Sequence, residues 1–479
     1  MRRWGRFGNT LNRTAHRSAL MLSGLIAVVG GFAIAALTWW LLWRSWGAQA
    51  ETPNRLDLTK IALWVTAGVG AAVALVIAYR RQRDNERGRF AELFGAAASQ
   101  LGNTDVAVRI AGVYALAGVA DEFSAPARRQ QCVDVLCGYL RLPYVPDEGG
   151  SHLVSKSQRV EDSGTAVERV YNYRQNDRQV RDTIVRVIAE HLRPTATGTS
   201  WSTCDFDFSD AVLEDLDFRH VIFAGHNTRF TNASFTGRST SFEQARFLGK
   251  RVSFRGAMFR SPTEFDHAVF AHTSVHRTER DSAGTVFVDV TFGGSVSFEG
   301  ARFAGARTGF TRSSFAGDRS SFANARFAAG LTSFERCIFD GERVTFTSAE
   351  FVGGKVVFTA SRFYAEASVF DCARLGSHTR WRNGLTQEVT FARAEYHGKV
   401  SFADAIFGGR SVAFTGGDFF GNISFRRVAF DAREVTFERP KAWVGLHFDW
   451  DGSPNTKPAN VSPAQWPPVP AEAPPELTV

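Results

Sequence analysis

Apolar positions in the C-terminal half of this chain follow neither the 3.6-residue period of a helix nor the alternation of a half-buried strand. From Phe298 to Phe370, phenylalanine stands at 298, 303, 310, 315, 322, 327, 334, 339, 346, 351, 358, 363 and 370, so the steps alternate between five and seven. Two steps make a 12-residue unit, and self-similarity at a fixed period over this length predicts a solenoid. Two residues before each Phe stands either a small residue (Ala301, Ala325) or a Val or Thr (Val296, Thr332, Val356). Positions i−2 and i of an extended segment point to the same side. Each side of a coil therefore turns one large and one small group inward, with Arg, Ser, Glu and Gly around them.

The repeat begins with plain steps of five, at Phe208, Leu213, Phe218 and Phe223, within Phe206-Asp-Phe-Ser-Asp-Ala-Val-Leu-Glu-Asp-Leu-Asp-Phe218. This tract resembles the pentapeptide-repeat proteins, of the membrane-anchored bacterial type, in a Phe-rich variant. The resemblance runs from about Cys204 to Phe437. It implies an all-β, right-handed quadrilateral parallel β-helix in which the central Leu or Phe stacks inside and the small residue fits the corner. The alternation of five and seven departs from the family pattern. It reads as two five-residue sides and then a corner lengthened by two, so a full coil takes 24 residues. About 37 sides between Phe208 and Phe437 make about nine coils, or a rod of about 43–45 Å.

Upstream the pattern changes. Residues 19–43 and 61–79 carry no charge, and at 1.5 Å per residue each predicts a helix able to cross a membrane. Residues 1–18 form a basic N-terminus, residues 44–60 a short external loop, and Arg80, Arg81, Arg83, Arg87 and Arg89 follow the second span. The positive-inside rule then places both termini in the cytoplasm, at the inner (plasma) membrane. A cleaved signal peptide is the competing reading, but the first apolar run is too long for one. Gly24, Gly30, Gly31, Gly68 and Gly70 permit close helix approach; packing within the hairpin and a homo-oligomer both account for them. Residues 80–142 return to helical periodicity and resemble a HEAT-like helix pair, a small all-α linker domain. Residues 143–165 read as a loose polar linker and 166–199 as a helix capping the solenoid, which covers 200–450. The Pro-rich tail, 451–479, reads as disordered or extended.

Charge and chemistry narrow the functional classes. The formal net charge is +8, yet residues 201–450 hold 30 basic against 28 acidic side chains. Some pentapeptide-repeat proteins resemble duplex DNA in shape and negative charge and bind gyrase; a near-neutral rod lacks that electrostatic part, and no nucleic-acid partner is expected. The five Cys show no C-x-x-C spacing, and His272 and His276 lie in a Ser/Thr/Gly-rich insertion. No phosphate-binding loop or nucleophile elbow appears. The expectation is a protein with no cofactor, no metal site and no catalysis: a membrane-tethered cytoplasmic scaffold whose rigid β-helix presents a binding surface. A membrane-linked sensor is the alternative, and a DNA-mimic inhibitor of gyrase the remaining one.

The candidate surface comes from counting sides. The beat breaks twice, between Phe270 and Phe287 and between Leu375 and Phe391, which places two insertions at one corner, four coils apart. The side before that corner carries Arg246, Arg302, Arg326 and Arg374, with Val269 and Glu350 in the intervening slots. The insertions add Arg277, Arg280, Arg380, Trp381 and Arg382. Loops on a rigid scaffold concentrate binding groups, and Arg beside Trp suits an acidic protein partner.

Overall fold

A computed structural model describes residues 55–123, 125–145, 155–162, 165–172, 176–196, 198–272, 284–376 and 387–471, with scattered positions between 33 and 44. The chain divides into two compact units, Met1–Leu93 and Phe94–Val479. In the first, helix α1 (Arg55–Leu101) starts and continues beyond the unit boundary without a break. It is the one helix among the described residues long and apolar enough to cross a membrane, and that stretch is wholly unburied. The expected second span belongs to it; the first, 19–43, lies largely outside the described residues.

Three further helices follow, α2 (Val106–Glu122), α3 (Pro126–Leu140) and α4 (Asp177–Leu192). Asp105 caps α2 by accepting a bond from the Ala107 amide, and Pro126 opens α3, where its missing N–H costs nothing. Between α3 and α4 the chain forms an antiparallel hairpin, β1 (Ser155–Asp162) with β2 (Thr165–Asn172). Over 155–162 this corrects the loose linker expected for 143–165, and over 166–172 it corrects the capping helix expected for 166–199, which begins only at Asp177. Alternating β-capable residues in Gln158-Arg-Val160 and Ala166-Val-Glu-Arg-Val170 pair across the hairpin, a register that composition alone does not reveal.

From Phe206 onward the chain is a β-solenoid of stacked parallel coils. One coil shows the plan: Arg307–Gly309 on face 1, Ser314–Phe315 on face 2, Arg319–Ser321 on face 3 and Arg326–Phe327 on face 4. Each strand pairs in parallel with its counterpart in the coils before and after, as Arg307 with Leu331 and Arg326 with Glu350. Face 1 has eleven strands, from Phe206–Asp207 to Val461–Ser462. Its ten steps at about 4.8 Å give a solenoid about 48 Å long, one coil longer than the sequence count.

The twelve-residue period has a backbone cause. Arg312, Asn324, Arg336, Ser348, Ala360 and Cys372, twelve residues apart, all lie in the left-handed region with φ between 55° and 58°. Each is the third residue of a tight turn that begins at an inward Phe. The turn closes with a bond to the Phe carbonyl, from Ser313 to Phe310 (3.1 Å) and from Ala325 to Phe322 (3.2 Å). The seven-residue steps turn at wider corners, where neighbouring coils come close. At Gly353 an added Cβ would stand 1.9 Å from the Ala329 carbonyl oxygen, so only glycine fits.

Inside, the rings form four ladders. Within a ladder they stack nearly parallel, as Phe310 on Phe334 and Phe334 on Phe358, both at 4.8 Å. Between ladders they meet edge to face, as Phe310 and Phe322 at 5.7 Å and 88°. Both arrangements suit the ring quadrupole and add to the area buried.

Each open end is covered. At the start, Trp201 is fully buried and donates to Asp121 of α2 at 2.9 Å, while Gln130 of α3 exchanges two 2.8 Å bonds with the Asp205 backbone. At the other end the tail is not disordered through residue 471. Val461–Ser462 adds a strand to face 1, and Trp466 packs edge to face on Phe448 (5.1 Å) and Trp443 (5.3 Å). The last coil would otherwise leave aromatic faces in water. Burying an indole there offsets the cost of ordering a Pro-rich segment already poor in conformational entropy.

Candidate functional site

The arginine column is assembled by strand register. On face 4 the outward positions run Ile222, Arg246, Val269, Arg302, Arg326, Glu350, Arg374 and Ile406, each opposite the next. Arg246, Arg302, Arg326 and Arg374 are all exposed. Arg326 forms an ion pair with Glu350 one coil on. Arg246, Arg302 and Arg374 make no ion pair with any described residue. Arg302 and Arg326 occupy neighbouring slots about 4.8 Å apart, a like-charge pair that solvent and the Glu350 carboxylate must screen.

Both insertions leave face 4 and return on face 1. The first follows Val269–Ala271 and re-enters at Gly284–Val286; the second follows Arg374–Leu375 and re-enters at Glu388–Thr390. Three face-4 strands separate their roots, so these are four coils or about 19 Å apart. Arg277, Arg280, Arg380, Trp381 and Arg382 lie outside the described residues.

The roots are fixed by buried polar groups that the sequence pattern does not flag. His272, expected on the loop surface, is buried. Its Nδ1 lies 2.7 Å from the Gly249 carbonyl oxygen and its Nε2 2.6 Å from the Thr285 hydroxyl. Nδ1 must donate to the carbonyl, so Nε2 accepts from Thr285 when the ring is neutral. Burial pushes the imidazole below its ordinary value, opposed by the bond to Gly249, and keeps it in that neutral form. Thr285 lies beyond the insertion, so this bond closes its base. At the second root, buried Gln387 donates to the Phe351 carbonyl at 2.7 Å. A histidine or glutamine where other coils place glycine or alanine is the signal that could have been read.

The helical cap holds a denser cluster. Asp177, at the start of α4, accepts from Arg109 (2.7 Å), Tyr139 (2.5 Å) and Arg181 (2.8 Å) in a buried setting. Arg181 also donates to the Leu140 and Leu142 carbonyls and lies 4.3 Å over the Tyr144 ring. Burial, together with the Asp177 carboxylate, raises the Tyr139 phenol, so it stays a donor. A cavity of about 360 Å³ lies beside this cluster, against the first coil. Its charged walls satisfy one another, Arg178 with Asp215 at 3.1 Å and Tyr144 with Glu214 at 2.5 Å. Among the described residues no group of three or more His, Cys, Asp or Glu is placed to hold a metal ion. Buried Cys337 donates to the Phe310 carbonyl, and burial holds its thiol far above the reactive range.

The geometry thus defines a class: a Phe-cored parallel β-solenoid closed by a helical cap and a folded tail. No protein-family model, no curated protein and no solved structure matches the chain.

Proposed function

We propose that this chain is a membrane-tethered scaffold related to the pentapeptide-repeat proteins, a right-handed solenoid held in the cytoplasm to present a binding surface to an acidic protein partner. One observation carries the reading: three exposed arginines without ion pairs stand on face 4, in a column flanked by the anchored roots of two insertions. Elsewhere on this rod some surface arginines are matched by carboxylates, as Arg312 by Asp289 at 2.6 Å and Arg427 by Asp404 at 2.7 Å; what sets face 4 apart is that its unmatched arginines share one column. An unmatched column on a rigid face favours an external anion, and its contribution is to orientation and rate of encounter more than to affinity. Membrane tethering is supported by the length and composition of α1 and by Arg80, Arg81, Arg83, Arg87 and Arg89, which follow its apolar stretch within the same helix. The helical cap, joined to the first coil through Trp201 and Asp205, supports a rigid mount.

The test is proximity labelling by the full-length protein and by an Arg246→Glu, Arg302→Glu, Arg374→Glu variant in cells. Loss of a specific neighbour with an unchanged melting curve is the expected result. The same neighbours from both proteins, or none above a membrane-anchored control, would refute the scaffold reading. Cys372, exposed while the other four cysteines are buried, reports sidedness. An impermeant maleimide should label it only after cells are opened.

A further inference from the structure

A second surface lies where face 2 turns into face 3, away from the arginine column. The position after each inward face-2 ring points outward. In the earlier coils it is held by Thr236, Arg260, Gly293, Ala316 and Asp340, and in the last four by Tyr364, His397, Phe420 and Val444. Tyr364, Phe420 and Val444 are 41%, 44% and 45% exposed, and His397 is exposed as well. They form a continuous ladder: Tyr364 and His397 have ring centroids 4.9 Å apart, His397 and Phe420 6.3 Å, and Phe420 lies opposite Val444. A small residue follows each of them (Ala365, Gly398, Gly421, Gly445), so nothing bulky screens that flank. A polar solenoid surface has no packing reason to expose such a row.

Beside the ladder, on face 3, register aligns Arg319, Arg343, Ala367 and Lys399. Arg343 and Lys399 are exposed and make no ion pair with any described residue. Ala367 between them leaves a depression, bordered also by Glu342 and Glu366. Arg319, Arg343 and Lys399 thus outnumber Glu342 and Glu366 around this depression, while on the ladder's other flank the Tyr364 hydroxyl donates to Glu395 at 2.9 Å.

The spacing selects the secondary structure of the occupant. Coils rise by about 4.8 Å, close to the 5.4 Å pitch of an α-helix. A helix lying along the axis would set one apolar side chain, at i, i+4, i+7 and i+11, against each rung. A strand in that direction repeats its same-side residues every ~6.7 Å and falls out of step within two rungs. We propose that this corner docks an amphipathic α-helix of an acidic partner protein, its apolar stripe on Tyr364, His397, Phe420 and Val444 and its carboxylates on Arg343 and Lys399. About three turns suffice. The proposal does not depend on the membrane reading or on the arginine column.

The probe is a fluorescent 14-residue helical peptide with leucines at positions 3, 7, 10 and 14 and glutamates flanking them, titrated against the full-length protein in nanodiscs, with empty discs subtracted. Saturable binding is expected, weakened about tenfold by Phe420→Ser and to a similar degree by Arg343→Glu with Lys399→Glu. A benzophenone in the peptide should crosslink within residues 364–446. Because all these side chains are exposed, melting should not move; if Phe420→Ser unfolds, the charge-reversal variant carries the test. Equal binding by wild type and both variants, or equal binding of a peptide with lysine in place of glutamate, overturns the proposal. So does wild-type self-association that Phe420→Ser abolishes, since the ladder would then be an interface between copies.

Discussion

Tyr396 is the one ring with a hydroxyl in a ladder that runs from Leu213 through Phe rings to Trp443, and it gives a prediction whose sign is counterintuitive for a core residue. It stacks between Phe363 at 5.2 Å and Phe419 at 5.1 Å and is fully buried. Its hydroxyl has no hydrogen-bond partner among the described residues, and burial pushes the phenol well above its usual value. A hydroxyl moved from water to an apolar site without a partner costs about 1–3 kcal/mol. Replacing it by Phe removes one oxygen and leaves a void smaller than a methyl group, whose lost packing costs at most about 1 kcal/mol. Tyr396→Phe should therefore be neutral to stabilising, by about 1 kcal/mol, which is roughly a fivefold rise in local protection. A solenoid does not unfold in one step, so the assay is native-state hydrogen exchange at the amides of Glu395–Tyr396 and Asp418–Phe425, not a global midpoint. Phe363→Tyr, one rung away, should lower protection by a similar factor. Faster exchange in Tyr396→Phe would show that the hydroxyl is satisfied in solution and that the ladder is not dry there.

Three other outcomes follow from the same geometry. His272 is held below the ordinary imidazole value of 6.5, so the unfolded chain binds its proton more readily; the stability it supports is complete above about pH 6.5 and declines as pH falls below it. Exchange at Gly284–Val286, corrected for intrinsic rate, should therefore accelerate between pH 7.5 and 5.5 in wild type, and the pH dependence should vanish in His272→Gln. Ala360 sits at φ 57°, where a Cβ is disfavoured and where equivalent turns use Asn232 and Asn324. Ala360→Asn should stabilise its coil by up to about 1 kcal/mol, read as slower exchange at Ser361–Phe363, and faster exchange would contradict the turn assignment. Asp177→Ala leaves two buried guanidiniums without their shared carboxylate and should cost about 3–5 kcal/mol. Exchange should rise through α2, α3 and α4 but not in the coils beyond residue 260, and an unaffected cap would mean that Asp177 is dispensable to it.

The repeat itself was legible in the chain because each Phe is both a core residue and a phase marker. Five-residue and seven-residue steps fix which residues face inward, and the sequence count missed the length of the solenoid by only one coil. The interval between the two insertions could likewise be counted, since whole units separate them. What could not be counted was anything that depends on closing an end or on contact between distant chain segments. The tail composition argues for disorder, and only the bare aromatic faces of the last coil make Trp466 and Val461 fold back. The charge-flanked ladder from Tyr364 to Val444 is invisible as a period, because the second insertion puts His397 33 residues after Tyr364 while Phe420 and Val444 follow at 23 and 24. His272 reads as a loop residue until the return strand brings Thr285 against it. Inward positions obey a local rule of spacing, whereas outward and terminal positions take their meaning from neighbours that only the stacked coils bring together.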